Sequence, residues 1–391
     1  MADRPARELL GWLDEHRREM VELLKDLARA ESPSLDPSAQ RGPFLLLAEQ
    51  LEAIGHDVRA VPGEGVGDHL YARPAHRRRG APYQLLIGHM DTVWPTGTLA
   101  EMPLHEDDGE LFGPGVADMK GGLVEIVFAL RAIGELGLCA AVTPVVFVNT
   151  DEEIGSRDST RFVRLLAGGA ERAYVLEAGE GAEGRLKIAR KGIGRFVVTV
   201  HGRPSHAGAD FDEGISAILE LSHQVQSLFA LNDAARGTTV NVGTIDGGLR
   251  PNVVAPHACA IVDVRIPTEE AAGTLEREVR NLRPVLEGAT IEVEGGFTRP
   301  PMEPLPRNRR LLASAKRLGS ELGLDLEDAG LVGGGSDANT TSLFTGTLDG
   351  LGPIGDGSHA RDERVDVVRL PERTALLALL LLEPAAPSAP S

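Results

Sequence analysis

Cysteine is nearly missing from this chain: Cys139 and Cys259 are the only two among 391 residues. They stand far apart, in apolar or helix-end surroundings, and supply neither a disulfide framework nor a cysteine-rich metal site. A reduced, cytoplasmic protein is the expectation. Positive charge is also short. The 40 lysines and arginines face 58 acidic residues, a net charge of -18, which argues against nucleic acid or anionic membrane as a partner. The local exception, His76-Arg77-Arg78-Arg79, reads as a solvated turn before the strand Tyr83–Ile87. No apolar run approaches the ~20 residues needed to span a bilayer, and the Leu-rich stretch near Thr374–Leu382 is too short. The N-terminal segment, with Met20, Leu23, Leu24 and Leu27 at helical spacing among charged residues, reads as an amphipathic helix and not a signal peptide.

What is present suffices for two domains and a large core. Hydrophobic content of 42% with 25% charged residues is ordinary for a globular protein. Up to about residue 190 the pattern alternates. Strands are expected at His56–Val61, Leu70–Arg73, Tyr83–Ile87, Val145–Val148 and Ala173–Leu176, and helices near Gly42–Ile54, behind the Gly113–Gly122 loop to about Gly134, and Ser159–Leu166. The stretch Trp94–Gly113 reads as loop. This is the signature of an α/β fold with a mainly parallel sheet flanked by helices. From Lys191 the order becomes βαββαβ: strand Arg195–Val200, helix Gly214–Leu231, strands Thr239–Ile245 and Ala258–Ile266, helix Glu269–Leu286, strand Thr290–Glu294. That is the ferredoxin-like α+β plan. Helices Arg307–Leu322 and Arg369–Leu382 follow, and Glu383–Ser388 reads as a frayed tail. The expected division is a catalytic domain of residues 1–190 and 302–391, with residues 191–301 inserted.

Chemistry-bearing residues collect where strands end. Leu85-Leu86-Ile87-Gly88 delivers His89 and Asp91; Val145–Val148 delivers Asp151-Glu152-Glu153; Ala173–Leu176 delivers Glu177. In an open α/β sheet, sites form at the carboxyl ends of strands. Taken singly, each residue has an ordinary reading. His89 could be a core or surface histidine, Asp118 a turn residue in its Gly-rich loop, Glu152-Glu153 a helix-start pair and His359 a loop histidine. Jointly, histidines and carboxylates at converging positions are what a two-metal hydrolase requires, because imidazole suits zinc and carboxylates can bridge two ions.

Five segments carry a resemblance: Gly88-His89-Met90-Asp91-Thr92-Val93, Gly113–Gly122, Asn149–Ser156, Ser205-His206-Ala207-Gly208 and Gly334-Gly335-Ser336-Asp337-Ala338. In this order, across almost the whole chain, they resemble peptidase family M20, the bimetallic zinc exopeptidases and deacylases. The resemblance implies a zinc exopeptidase-like catalytic domain with an inserted lid and dimerisation domain. It implies two Zn2+ per subunit, with Co2+ or Mn2+ as alternatives. Asp118 would bridge the metals, His89 and Glu177 complete one site, and Glu153 and His359 the other. Glu152 would be the general base, and Asp91 would hydrogen-bond His89 and fix its tautomer. His206 would reach the partner subunit's site and stabilise the oxyanion, which implies a homodimer through the inserted domain; its ordinary reading is an exposed loop histidine. Asn252 matches a position near the substrate, and Arg265 one that grips a substrate carboxylate; a strand-face salt bridge is the ordinary reading of Arg265. Gly334 and Gly335 would admit close approach of substrate, or simply form a turn. One departure stands out. The family glutamate is usually followed by proline, whereas here Glu177 precedes Ala178, so Glu180 competes for its place.

The expected activity is hydrolysis of an amide bond next to a free carboxylate on a small molecule or short peptide. The acidic-pair segment most resembles the carboxypeptidase G branch, which releases a C-terminal amino acid such as glutamate from acyl or peptidyl conjugates. An N-acyl-amino-acid deacylase is the alternative with the same machinery. A non-catalytic, metal-holding binding protein is the rival of another class, against which the presence of Glu152 speaks.

Overall fold

A run such as Leu85-Leu86-Ile87 has no polar side to offer water. The structure, a computed structural model that describes residues 3–78 and 80–385, buries it on both faces. Its strand, Tyr83–His89, lies within a six-stranded sheet ordered His56–Val61, His69–Pro74, Thr143–Asn149, Tyr83–His89, Arg172–Val175, Gly346–Leu348. The last four strands run parallel, and only His69–Pro74 runs opposite to the other five. The register sets His89 beside Asn149, so the chain leaves both strands at the same edge of the sheet. The fold is α/β, as the alternating pattern implies.

The chain divides into two compact units. The first holds the residues up to Ala189, Pro304–Gly330, and those from Ser336 onward. Its core is closed by helices Gly121–Glu135 and Leu370–Leu382, both apolar on nearly every side and correspondingly buried. The N-terminal segment forms two helices, Asp3–Glu15 and Arg17–Arg29, where periodicity suggests one. The break falls at His16, whose ring stacks on Trp12 with centroids 3.7 Å apart and whose Nδ1 lies 2.7 Å from the Trp12 carbonyl.

The stretch read as loop between Trp94 and Gly113 contains two short strands, His105–Asp107 and Glu110–Phe112. They join Arg364–Asp366 and Gly355–Asp356 in a small antiparallel sheet. Three-residue strands carry no period to detect, and the partner Arg364–Asp366 of Glu110–Phe112 comes from the far end of the chain. Of the basic run, Arg77 lies over the Tyr83 ring at 4.9 Å. Arg79 of that run and residues 386–388 of the expected tail lie outside the described residues. Among the described residues no helix is long and apolar enough to cross a membrane.

The second unit comprises Arg190–Glu303 and Leu331–Gly335. Its four antiparallel strands are ordered Thr239–Gly247, His257–Ile266, Gly192–His201, Thr290–Arg299. With helices Ala217–Phe229 and Glu269–Arg280 between them in sequence, this is the split βαβ topology. Phe196, Val198 and Val200 alternate into a core shared with both helices, the period of a sheet with one packed face. Hydroxyl caps start both helices: Ser216 Oγ accepts the Leu219 N–H and Thr268 Oγ1 that of Ala271. The second helix ends at Arg280, not Leu286 as expected, because Pro284 disfavours helical backbone at the residue before it.

Candidate metal centre

The carboxyl ends of Tyr83–His89, Thr143–Asn149 and Arg172–Val175 open onto one cluster, buried at His89 and open to solvent at His359. Asp118 stands at its middle. Its Oδ1 lies 3.2 Å from His89 Nε2 and its Oδ2 lies 3.4 Å from His359 Nε2. Glu177 Oε1 is 3.7 Å from His89 Nε2, and Glu153 Oε2 is 3.0 Å from His359 Nε2. The five residues thus form two groups that share Asp118. One ligand atom from each of His89, Asp118 and Glu153 lies within 4.8 Å of the other two.

Local sequence explains how each side chain arrives. Asp118 closes a loop that turns at Gly115, a left-handed position (φ 74°), and its peptide bond to Met119 is cis. Helix Gly121–Glu135 then packs so closely on the neighbouring strand end that a Cβ on Gly122 would sit 2.1 Å from the Leu176 carbonyl oxygen, one residue before Glu177. Only glycine permits that approach. His359 has a left-handed φ of 64°, uncommon outside glycine and of the kind that collects at functional sites. Glu152 and Glu153 share one tight turn, Glu152–Ile154.

Asp91 does more than stand behind His89. The nearer acceptor for His89 Nδ1 is the Asp91 backbone carbonyl, at 3.0 Å, with the carboxylate Oδ1 at 3.4 Å. The carboxylate accepts the backbone N–H groups of Glu152 and Glu153, both at 3.2 Å, and the Ser34 hydroxyl at 2.6 Å. Asp337 holds the far side of the acidic turn: it accepts from Ser156 Oγ at 2.6 Å and from Asn149 Nδ2 at 2.5 Å. Of the two competing glutamates, Glu177 lies against His89, whereas Glu180 pairs with Lys187 Nζ at 3.3 Å.

The electrostatics of the cluster fit a cation. Burial, then the charge of Asp118, pushes the Glu177 carboxyl well above the usual carboxylate range. Burial raises Glu153 as well. Burial is the largest single influence on Asp118 and His89 and opposes charge on both, yet their mutual hydrogen bond and the surrounding opposite charges together outweigh it, lowering the acid and lifting the imidazole. His359 is raised to about 9, chiefly by its hydrogen bond with Glu153. Packing three carboxylates out of water costs free energy that neutralisation or a bound dication relieves. Two imidazoles and three carboxylates are a donor set suited to zinc.

The remaining expected residues belong to the second unit. His206 is exposed, and its Nδ1 accepts the backbone N–H groups of Gly208 and Ala209 at 3.1 and 3.0 Å, which leaves the ring proton on Nε2. Asn252 accepts the Ala207 N–H on its backbone carbonyl at 3.1 Å. Arg265 makes the strand-face salt bridge, donating from Nε and Nη2 to the two oxygens of Asp263 at 2.9 and 3.2 Å. Gly334 accepts from Arg190 Nη1 at 3.0 Å, and a Cβ on Gly335 would meet Ile193 at 2.8 Å. Sequence reasoning passed over Ser34, Asp337 and Glu363. Asp337 lies within a quoted motif, and Glu363 lies just past His359, but nothing in either position announces its hydrogen bonds.

A model of the peptidase family M20/M25/M40 matches residues 85–383. Carboxypeptidase G2 of Pseudomonas sp. (strain RS-16) is 29% identical over 372 residues, covering 93% of this chain and 89% of its own length. Aminopeptidase PepT from Bacillus cereus ATCC 10987 superposes with a TM-score of 0.76 at 20% identity, over 94% of this chain and 98% of the other. The M20 family metallo-carboxypeptidase Sso-CP2 from Sulfolobus solfataricus gives 0.71 at 16% identity, over 94% and 98%. These two likenesses reflect the fold. The family match spans the centre just described, from the strand bearing His89 past His359, and the chain belongs to peptidase family M20/M25/M40, the metal-dependent hydrolases.

Proposed function

We propose that this chain is a dizinc hydrolase of an amide bond next to a free carboxylate, releasing a C-terminal amino acid such as glutamate as carboxypeptidase G does. The observation that carries the reading is Asp118, with one oxygen facing His89 and the other facing His359. His89, Asp118 and Glu177 would hold one ion, and Asp118, Glu153 and His359 the other. The ions, when bound, would lower the pKa of a water and polarise the scissile carbonyl. Glu152 takes a proton from the attacking water, whose oxygen bonds to the carbonyl carbon. The C–N bond then breaks, and Glu152 returns the proton to the leaving nitrogen. Asp91 holds that base in place through the backbone of the acidic turn.

The second unit is proposed as the lid and dimerisation module. Strand Thr239–Gly247 is an edge of its sheet, with Ile245 exposed, and an open edge is a surface a second copy can pair with. His206 presents Nε2–H as a donor suited to an oxyanion. Arg265 would grip the substrate carboxylate through donors that Asp263 leaves free.

Turnover of N-acyl amino acids and dipeptides, followed by mass spectrometry with zinc supplied, tests the reading. We expect release of C-terminal glutamate, and a loss of at least about 100-fold in Glu152→Gln with metal still bound. Faster cleavage of simple N-acetyl amino acids would favour the deacylase. No turnover across the panel would favour a binding role.

A further inference from the structure

Glu363 is buried, and its carboxylate serves four N–H donors from two other loops. Oε1 accepts the backbone N–H groups of Ala117 and Asp118 at 3.0 and 3.1 Å. Oε2 accepts the Gly115 N–H at 2.8 Å and Trp94 Nε1–H at 3.0 Å. The Glu363 backbone carbonyl takes the Gly113 N–H at 3.0 Å. The three loops are those that carry the centre: Trp94 follows His89 and Asp91, Gly113–Asp118 ends at the shared carboxylate, and Glu363 follows His359.

Successive N–H groups of a curved loop converge as they would on a bound anion. Here the anion is the chain's own carboxylate. Donors that would otherwise be orphaned in the interior are satisfied by a group with four lone pairs to offer. The consequence is geometric. With its N–H fixed, Asp118 can hold Oδ1 toward His89 and Oδ2 toward His359 at the same time.

We propose that Glu363 is a positioning residue for the metal centre, holding the Asp118 loop in register with His89 and His359 so that one carboxylate can serve both cations. The proposal rests on the two-metal reading above. It differs from a packing role in what it predicts for metal. An amide at this position keeps the volume but turns an NH2 toward donors, so the loop is released while the rest of the core stays as it was.

Zinc titration of the chelated full-length protein by calorimetry, with zinc content by elemental analysis, compares wild type with Glu363→Gln. The variant is expected to bind zinc about 10–100-fold more weakly and to recover kcat in excess zinc. Trp94 supplies a second readout. In a Trp12→Phe background it is the remaining tryptophan, and its emission should shift on zinc binding with Glu363 intact, whereas in Glu363→Gln the shift should need correspondingly more zinc. A folded Glu363→Gln with wild-type zinc affinity overturns the proposal and leaves the two-metal reading standing. Wild-type protein that binds no zinc overturns that reading and the proposal with it. If Glu363→Gln does not fold, Trp94→Phe removes one donor of the four. It should weaken zinc binding several-fold, and unchanged affinity in that variant overturns the proposal equally.

Discussion

Asp91 takes the backbone N–H of Glu152 on its Oδ1 at 3.2 Å. This contact, with its counterpart at Glu153, makes Asp91 a mount for the acidic turn as well as a neighbour of His89. Its removal therefore loosens the turn that carries the base and Glu153, without taking away a ligand atom itself. Asp91→Ala is expected to lower kcat about 10–100-fold while most of the metal remains, whereas His89→Ala should lose a metal. Elemental analysis beside steady-state kinetics decides it: an Asp91→Ala protein emptied of both metals would contradict the assignment.

Much of this centre is legible in the sequence because parallel sheets advertise themselves. Buried strands read as continuous apolar runs, they end abruptly, and the residue after each end is placed by topology. His89, Glu152-Glu153 and Glu177 are found that way. Asp118 and His359 are harder, since they sit on loops joined by strands of two or three residues, and the pairing that brings the two loops together, Glu110–Phe112 with Arg364–Asp366, is long-range. The carboxylates that orient the loops, Glu363 and Asp337, leave no local signal. Their partners are mostly backbone N–H groups and small polar side chains that every sequence has in abundance. The Arg265–Asp263 pair shows the converse, a local i,i+2 contact that strand alternation makes readable because both side chains share a face.

Glu177 and Glu180 separate by measurement. Glu177 lies against His89, while Glu180 is occupied by Lys187. Glu177→Gln should lower the bound zinc by about one ion per chain. Glu180→Gln should keep wild-type stoichiometry, with activity within a few-fold. The reverse result would move the ligand to Glu180.

Arg265 is tied to Asp263 through two hydrogen bonds. If the guanidinium also binds the substrate carboxylate, Arg265→Ala should raise KM by about 10-fold or more, the worth of a charge-assisted hydrogen bond. Arg265→Lys should recover only part of that, since a point charge does not reproduce the planar fork. Equal KM values in wild type and Arg265→Ala across carboxylate substrates would assign the residue to the salt bridge alone.

Metal removal should register in stability as well as activity. Ligands that bind only the folded chain stabilise it by mass action, about 2.7 kcal/mol at 100 times Kd. Chelated protein is expected to melt at a lower temperature and be inactive, and zinc should restore both. Differential scanning calorimetry across a zinc series gives the slope, and a melting temperature indifferent to zinc would argue against a cation in this cluster.

Away from the centre, Glu125 is fully buried in helix Gly121–Glu135 with no hydrogen-bond partner for either oxygen among the described residues. Burial raises it well above its ordinary 4.5, against the opposing charge of Arg373. The sign of the consequence follows from proton counts. The unfolded chain releases this proton as pH passes about 4.5, and the folded chain retains it to higher pH. Folding therefore takes up a proton in that window, and the contribution to stability falls as pH rises through it. Glu125→Gln removes the dependence without changing the volume. Its melting temperature relative to wild type should be higher at pH 8 than at pH 5. Were Glu125 instead an ionised counter-charge for Arg373, the same substitution would destabilise the protein most at pH 8, so the direction of the change between the two pH values distinguishes the states.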